Sequence, residues 1–346
     1  MEGGASLAAE RLKRSAWDGK TIDGHSHAGV SLKAYALGEY PYAQTVEGLR
    51  SQQCACGVDA TIVFPFTADL FFDPARLLEG TLIPAEKPLS QVPYGAENRM
   101  LLRELYDYCP ELIRHFMPFV HLDPERCVEE QVRLVSELAD RYPVYGVKIN
   151  PVGCQSHAAG LLGRGAALLD LCESRDWPLL FHVTTLPGED YSQARDVFTI
   201  IERRPKLRFC MAHSLLFHRA SLERANKLPN VWVDTAALKI QVESMRAIIG
   251  KTLPASDFID ADYSDHRRVL QVLGEHYPDT IIWGTDSPAY SWICRRKEGE
   301  GIYRDFRLKG SYEDEVAALD ALPPLVRARV GGGNALDFVF GRNKNR

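Results

Sequence analysis

Apolar residues gather in eight short runs along this chain, at 21–25, 60–65, 114–120, 146–150, 178–183, 207–212, 231–235 and 280–285. Each has strand length and ends in polar or turn-forming residues. Between them lie segments with helical spacing of apolar positions, at 45–56, 96–108, 124–141, 166–174, 192–203, 214–227 and 264–277, and an eighth at 312–321. Several carry start signals, such as Asp123-Pro124, where a cap residue precedes a proline at the first helical position.

Strands alternating with helices imply a parallel sheet, and eight such units in 346 residues predict an α/β protein built as a closed (β/α)8 TIM barrel. A doubly wound open sheet is the alternative. The pattern fits one domain over 1–346, with 1–20 as an N-terminal extension. Surplus length falls at 66–95 and 287–310, which follow strands and read as cap or loop insertions at the C-terminal face. A third irregular stretch is 239–262.

Composition narrows the partners. The chain is 45% hydrophobic and 25% charged with a formal net charge of -5, which offers no basic footprint for nucleic acid. No apolar run approaches the roughly 18–20 residues that cross a bilayer, and the charged start lacks an apolar leader core. The eight cysteines form no C-x-x-C pair, so reduced thiols and a cytoplasmic protein are expected. A small-molecule substrate is the expected partner, with self-association into a homo-oligomer left open.

The candidate chemistry sits at the strand ends. His25 and His27 alternate in Asp23-Gly24-His25-Ser26-His27, so both side chains share one face. His182 ends Leu179-Leu180-Phe181-His182, His213 ends Cys210-Met211-Ala212-His213, and Asp286 ends Trp283-Gly284-Thr285-Asp286. Any one alone reads as well as a hydrogen-bonded core imidazole or a turn-forming Asp. Taken in order, they are what a barrel gathers at one rim, and mixed imidazole and carboxylate ligation suits Zn, Fe or Mn. Lys148 and Asn150 share a face of the fourth strand, though spacing does not say which. Asp234 reads equally as a support or a turn former, His121 as fixing the Asp123 turn, and His157 as a substrate contact. His115, His218, His266 and His276 fit structural positions.

The ordered set resembles the amidohydrolase superfamily: H-x-H, then Val147-Lys148-Ile149 leading into Asn150-Pro151, Phe181-His182, Ala212-His213, Gly284-Thr285-Asp286-Ser287-Pro288, and Gly332-Gly333-Asn334-Ala335. It is closest to the amidohydrolase-related branch that includes aminocarboxymuconate semialdehyde decarboxylase, and it runs from about Thr21 to Gly341. The resemblance implies His25, His27, His182 and Asp286 as metal ligands, with zinc foremost and one ion favoured. It implies that His213 orients water or donates a proton, and that Asp286 also acts as general base. Lys148 stays open between substrate contact, a carbamylated bridge to a second ion, and a structural ion pair.

The leading expectation is a metal-dependent hydrolase of a small amide or lactone. Non-oxidative decarboxylation of an unsaturated or aromatic acid is the alternative, and it would need a cationic anchor such as Lys33, Arg50, Arg99 or Lys148. A ligand-binding barrel without chemistry is the third reading. His157, Asn150, Phe71 and Tyr290 are the further substrate contacts expected, and Phe66, Phe72, Tyr94, Trp292 and Tyr303 are further aromatics for a lid or a subunit interface.

Overall fold

A computed structural model describes residues 11–299 and 302–342. Among them the apolar runs become β1 (Ile22–Val30), β2 (Ala60–Pro65), β3 (Phe116–Leu122), β4 (Gly146–Ile149), β5 (Leu179–Phe181), β6 (Phe209–Met211), β7 (Val231–Asp234) and β8 (Ile281–Ile282). Each pairs in parallel with the next. The first and last meet as well. Gly24 N donates to Trp283 O at 2.9 Å, Asp286 N to His25 O at 2.8 Å, and His27 N to Ser287 O at 2.6 Å. The result is the (β/α)8 barrel; an open doubly wound sheet would leave both of those strands as edges.

Period 2 sorts the strand residues into two cores. Ile62 and Phe64, Met117 and Phe119, Leu180, Cys210 and Trp232 fill the barrel interior. Their neighbours Val63, Val120, Leu179, Phe181, Phe209, Met211, Val231 and Val233 pack outward under the helices. Val147 and Ile149 belong to the outer set, so Lys148 between them faces the interior. Trp17, Phe338 and Val339 close the far end.

The helices begin and end where capping chemistry decides. The expected helix at 124–141 is Val128–Arg141, because Asp123 Oδ1 accepts from Glu125 N and Arg126 N and makes a turn of its own. The one expected at 214–227 is Arg219–Lys227. Residues 213–217 instead take left-handed backbone, with φ between 49° and 65°. The 96–108 segment is α-helical over Gly95–Arg103 and widens to a π turn through Tyr108. The stretch expected to be irregular at 239–262 opens with a helix, Leu238–Ile248. The insertion at 287–310 contains a hairpin, Trp292–Gly299 with Ile302–Leu308.

The Gly-Gly-Asn-Ala segment ties the last strand to the floor of the barrel. Asn334 Nδ2 donates to Pro278 O at 2.7 Å and to Ile281 O at 2.6 Å. A side chain at Gly332 would press on the Lys20 carbonyl, a backbone atom that cannot swing aside. Gly332→Ala is therefore expected to cost about 1–3 kcal/mol, read as a lower urea midpoint; an unchanged midpoint would show that the floor yields. No helix among the described residues is long and apolar enough to cross a membrane.

Candidate metal centre

His25 and His27 lie within β1 and are buried. Asp286 follows β8 with φ 62°, and its Oδ1 lies 3.3 Å from His25 Nε2 and 3.1 Å from His27 Nε2. Donor atoms of these three residues all lie within 4.8 Å of one another.

The far nitrogen of each ring settles which tautomer faces inward. His25 Nδ1 stands 2.9 Å from Asp234 Oδ2, and His27 Nδ1 3.2 Å from Pro65 O. Both partners only accept, so each neutral ring carries its proton on Nδ1 and turns the Nε2 lone pair toward Asp286. Two lone pairs and a carboxylate facing one another across about a hydrogen-bond length repel unless a cation lies between them. The donor set thus fits a divalent ion with nitrogen and oxygen preference.

The electrostatics agree. Burial drives the His27 pKa down to about 4. Burial also opposes charge on Asp286, but His25, His27 and His213 outweigh it and hold that carboxyl well below the usual range. At His25, burial and Lys148 disfavour a proton while Asp234 and Asp286 win and raise the pKa, the mark of a place that calls for positive charge.

His182 and His213 form a second pair. Ala236 O accepts from His213 Nδ1 at 3.1 Å, which leaves His213 Nε2 to accept from His182 Nδ1 at 2.8 Å. His182 is then left with an unprotonated Nε2. His182 stands outside the three-residue cluster, though it lines the same cavity. The His213 Nδ1 lies 3.9 Å from Asp286 Oδ2. His213 begins the left-handed run, each residue of which costs about 1–2 kcal/mol. Its backbone N–H donates to Asp234 Oδ1 at 3.1 Å, a fully buried bond that helps to offset the strain.

Lys148 reaches the floor of the site, its Nζ 3.2 Å from His25 Nε2 and 4.7 Å from the centre of the Phe64 ring. Burial lowers its pKa to about 8, against the pull of Asp234 and Asp286. Lys148, His25 and Asp286, together with Asn150, Phe66, Tyr40 and Trp292, line a cavity of about 350 Å³.

Three expected substrate contacts lie elsewhere, a correction to the sequence reading. Phe71 turns into an apolar cluster with Phe72, Leu77 and Tyr94. His157 is exposed, its Nδ1 3.2 Å from Asp190 O. Tyr290 is buried in the outer core, while Ser291 and Trp292 beside it line the cavity instead. Of the proposed anchors, Lys33, Arg50 and Arg99 are not on the cavity wall, and Lys148 is the one cationic side chain there among the described residues. His121 is buried behind the site, stacked on Tyr94 at 3.7 Å and donating to Pro65 O at 3.3 Å rather than fixing the Asp123 turn.

One organising residue escaped the sequence reading. Asp23 is fully buried. Its Oδ1 accepts from His25 N at 3.1 Å and Thr285 N at 2.9 Å. Its Oδ2 accepts from Ser26 Oγ at 2.7 Å, Thr285 Oγ1 at 2.7 Å and Tyr312 OH at 3.0 Å. The only signal in the sequence is its place two residues before His25, and a register shift between Asp23 and Ser26 breaks the simple alternation there.

The amidohydrolase family profile matches residues 68–340. No curated protein matches the chain. Among solved structures, an uncharacterised TIM-barrel protein from Bordetella bronchiseptica is similar at 13% identity and TM-score 0.56, covering 91% of this chain and 96% of that one. A 2,6-dihydroxybenzoate decarboxylase from Rhizobium is similar at 12% identity and TM-score 0.55, covering 92% and 98%. The IDCase of Metarhizium anisopliae follows at 12% identity and TM-score 0.50, covering 94% and 98%. These likenesses share the barrel, and the profile covers most of the sequence from the loop after β2 to the helix that closes the floor: the chain belongs to the amidohydrolase family.

Proposed function

We propose that the protein is a metal-dependent hydrolase of a small carbonyl compound, an amide or a lactone. The observation that carries this reading is the split duty open to Asp286. Its Oδ1 faces the two β1 imidazoles, and its Oδ2 faces His213. His25, His27 and Asp286 would hold the cation, with His182 Nε2 as the fourth donor. A divalent ion bound there supplies Lewis acidity and lowers the pKa of water. Asp286 Oδ2 takes the proton as water adds to the carbonyl carbon, then returns it to the departing nitrogen or oxygen as the acyl bond breaks. His213 keeps His182 in the tautomer that leaves Nε2 unprotonated.

Decarboxylation is the second reading, favoured by one feature. Lys148 offers a buried cation on the cavity wall whose near neighbours are an imidazole and an aromatic ring, a setting that suits a substrate carboxylate. One of the similar folds, that from Rhizobium, bears a decarboxylase name.

The two part in a product assay. The metal-loaded protein is given a panel of lactones, esters and amides followed by proton release, and hydroxylated aromatic acids followed by CO2 release. Metal-dependent proton release supports hydrolysis; CO2 release without it replaces that reading with the second. His182→Ala is expected to lose both bound metal and turnover. His213→Ala is expected to keep most of the metal and to lose roughly 10²–10³-fold in turnover. Full activity in either variant removes the role given to that residue.

A further inference from the structure

One backbone carbonyl serves two buried imidazoles. Pro65 ends β2, the strand between β1 and β3. Its oxygen lies 3.2 Å from Nδ1 of His27 on β1 and 3.3 Å from Nδ1 of His121 on β3. A carbonyl oxygen has two lone pairs and can accept from both rings at once. Burial first, then Lys148, holds the His121 pKa well below the usual range, so its ring is neutral. Because the oxygen only accepts, the one ring proton of His121 sits on Nδ1.

His121 Nε2 is then an unprotonated acceptor, and it is buried with no hydrogen-bond partner among the described residues. Such an orphan is costly, and a phenylalanine could stack on Tyr94 without it. What the imidazole adds to a plain ring is the Nδ1 bond to Pro65 O. The surroundings fix that bond in place. Tyr94 stacks on the ring with centroids 3.7 Å apart and planes 10° apart, from a left-handed backbone with φ 60°. Asn98 Oδ1 accepts from His121 N at 2.7 Å, and Asn98 Nδ2 donates to His121 O at 2.8 Å. The peptide that joins Pro65 to Phe66 is thus gripped twice, by Phe66 N donating to Ala28 O at 3.1 Å and by His121 at its oxygen. His121 does not line the cavity of the metal centre, so contact with substrate is not its task.

We propose that His121 is a positioning residue for the metal ligand His27, acting through the Pro65 carbonyl. Its N–H sets the direction of that oxygen, and the oxygen holds His27 with Nδ1 protonated and Nε2 turned toward Asp286. Without the grip from β3 the oxygen shifts, the His27 ring turns with it, and Nε2 leaves the line to the cation. This rests on the metal centre described above and not on which reaction the ion serves.

Two substitutions separate the donor from the ring. His121→Phe keeps the stack on Tyr94 and deletes the donor, whereas His121→Asn keeps an N–H at the place of Nδ1 and deletes the ring. Each full chain is titrated with Zn²⁺ against a chelator, its Co²⁺ form is read by visible absorption, and the metal-free form is unfolded in urea. His121→Phe is expected to weaken ion binding about tenfold, the lower end of the effect of removing an outer partner of a ligating histidine. Its Co²⁺ bands should change while its urea midpoint stays level or rises, since the orphaned acceptor is gone. His121→Asn should bind the ion within about threefold of the unaltered chain even though its midpoint falls with the lost stack. A ring that only fills space would reverse this pattern. Full affinity with unchanged Co²⁺ bands in His121→Phe, or an equal loss of affinity in both variants, overturns the proposal. If His121→Phe does not fold, His121→Leu deletes the same donor and is judged by the same affinity and bands. An unaltered chain that takes up neither ion removes the metal centre and this role together, whereas one ion bound equally well with and without the donor removes the role alone.

Discussion

Asp286→Ala should empty the site of metal and lower turnover by at least 10³-fold while the barrel stays folded. The alanine removes the only carboxylate of the three-donor cluster and leaves His25 Nε2 and His27 Nε2 facing space. Two neutral imidazoles bind a divalent ion far less tightly than the same pair with an anionic oxygen. It also removes the group proposed to carry the proton, so binding and chemistry fail together. Metal analysis of the purified protein should give close to one ion per chain before the change and close to none after it. A value near two in the unaltered protein would instead revive a carbamylated Lys148 as a bridge. If Asp286→Ala retains a full ion, the cation lies elsewhere and the proposed chemistry goes with it.

Asp23→Ala carries the second large effect, through structure rather than contact with substrate. Five donors converge on this buried carboxylate, two of them backbone N–H groups at His25 and Thr285. Alanine leaves them unpaired where water does not reach, at a cost of roughly 3–5 kcal/mol. Because those donors flank His25 and Asp286, the ligands should lose their alignment as well, with metal affinity down about 10–100-fold. Asp23→Asn keeps an acceptor in place and should fall between the two. Urea unfolding of the metal-free protein and competition with a chelator read the effects separately. Unchanged affinity in a folded Asp23→Ala would reduce Asp23 to a fold residue.

Much of the barrel was legible because strand burial on both faces writes itself as continuous apolar runs. The paired histidines were legible because period 2 is the simplest geometry a chain has. Lys148 was not, since alternation gives two faces without saying which is inner; only the outward packing of Val147 and Ile149 decides it. The helix Leu238–Ile248 was missed because its buried positions, Leu238, Ile240, Val242 and Met245, mix spacings of two and three. The left-handed turn after β6 runs through Leu215, Leu216 and Phe217, residues that disfavour it locally, and tertiary contacts override them. Phe71 and Tyr290 were placed at the substrate by aromatic character alone, which cannot tell a lid from a core. Asp23 depends on Thr285 and Tyr312, which lie 262 and 289 positions away.

Two of the three hydrogen bonds that join β1 to the end of β8 involve His25, His27 and Asp286 themselves. The seam of the cylinder and the reactive centre are therefore one place. During synthesis the two histidines emerge early and wait for nearly the whole polypeptide before Asp286 arrives opposite them. A nascent chain stopped before the eighth strand owns the imidazoles without the carboxylate, so firm cation capture marks the moment at which synthesis has supplied the last stave.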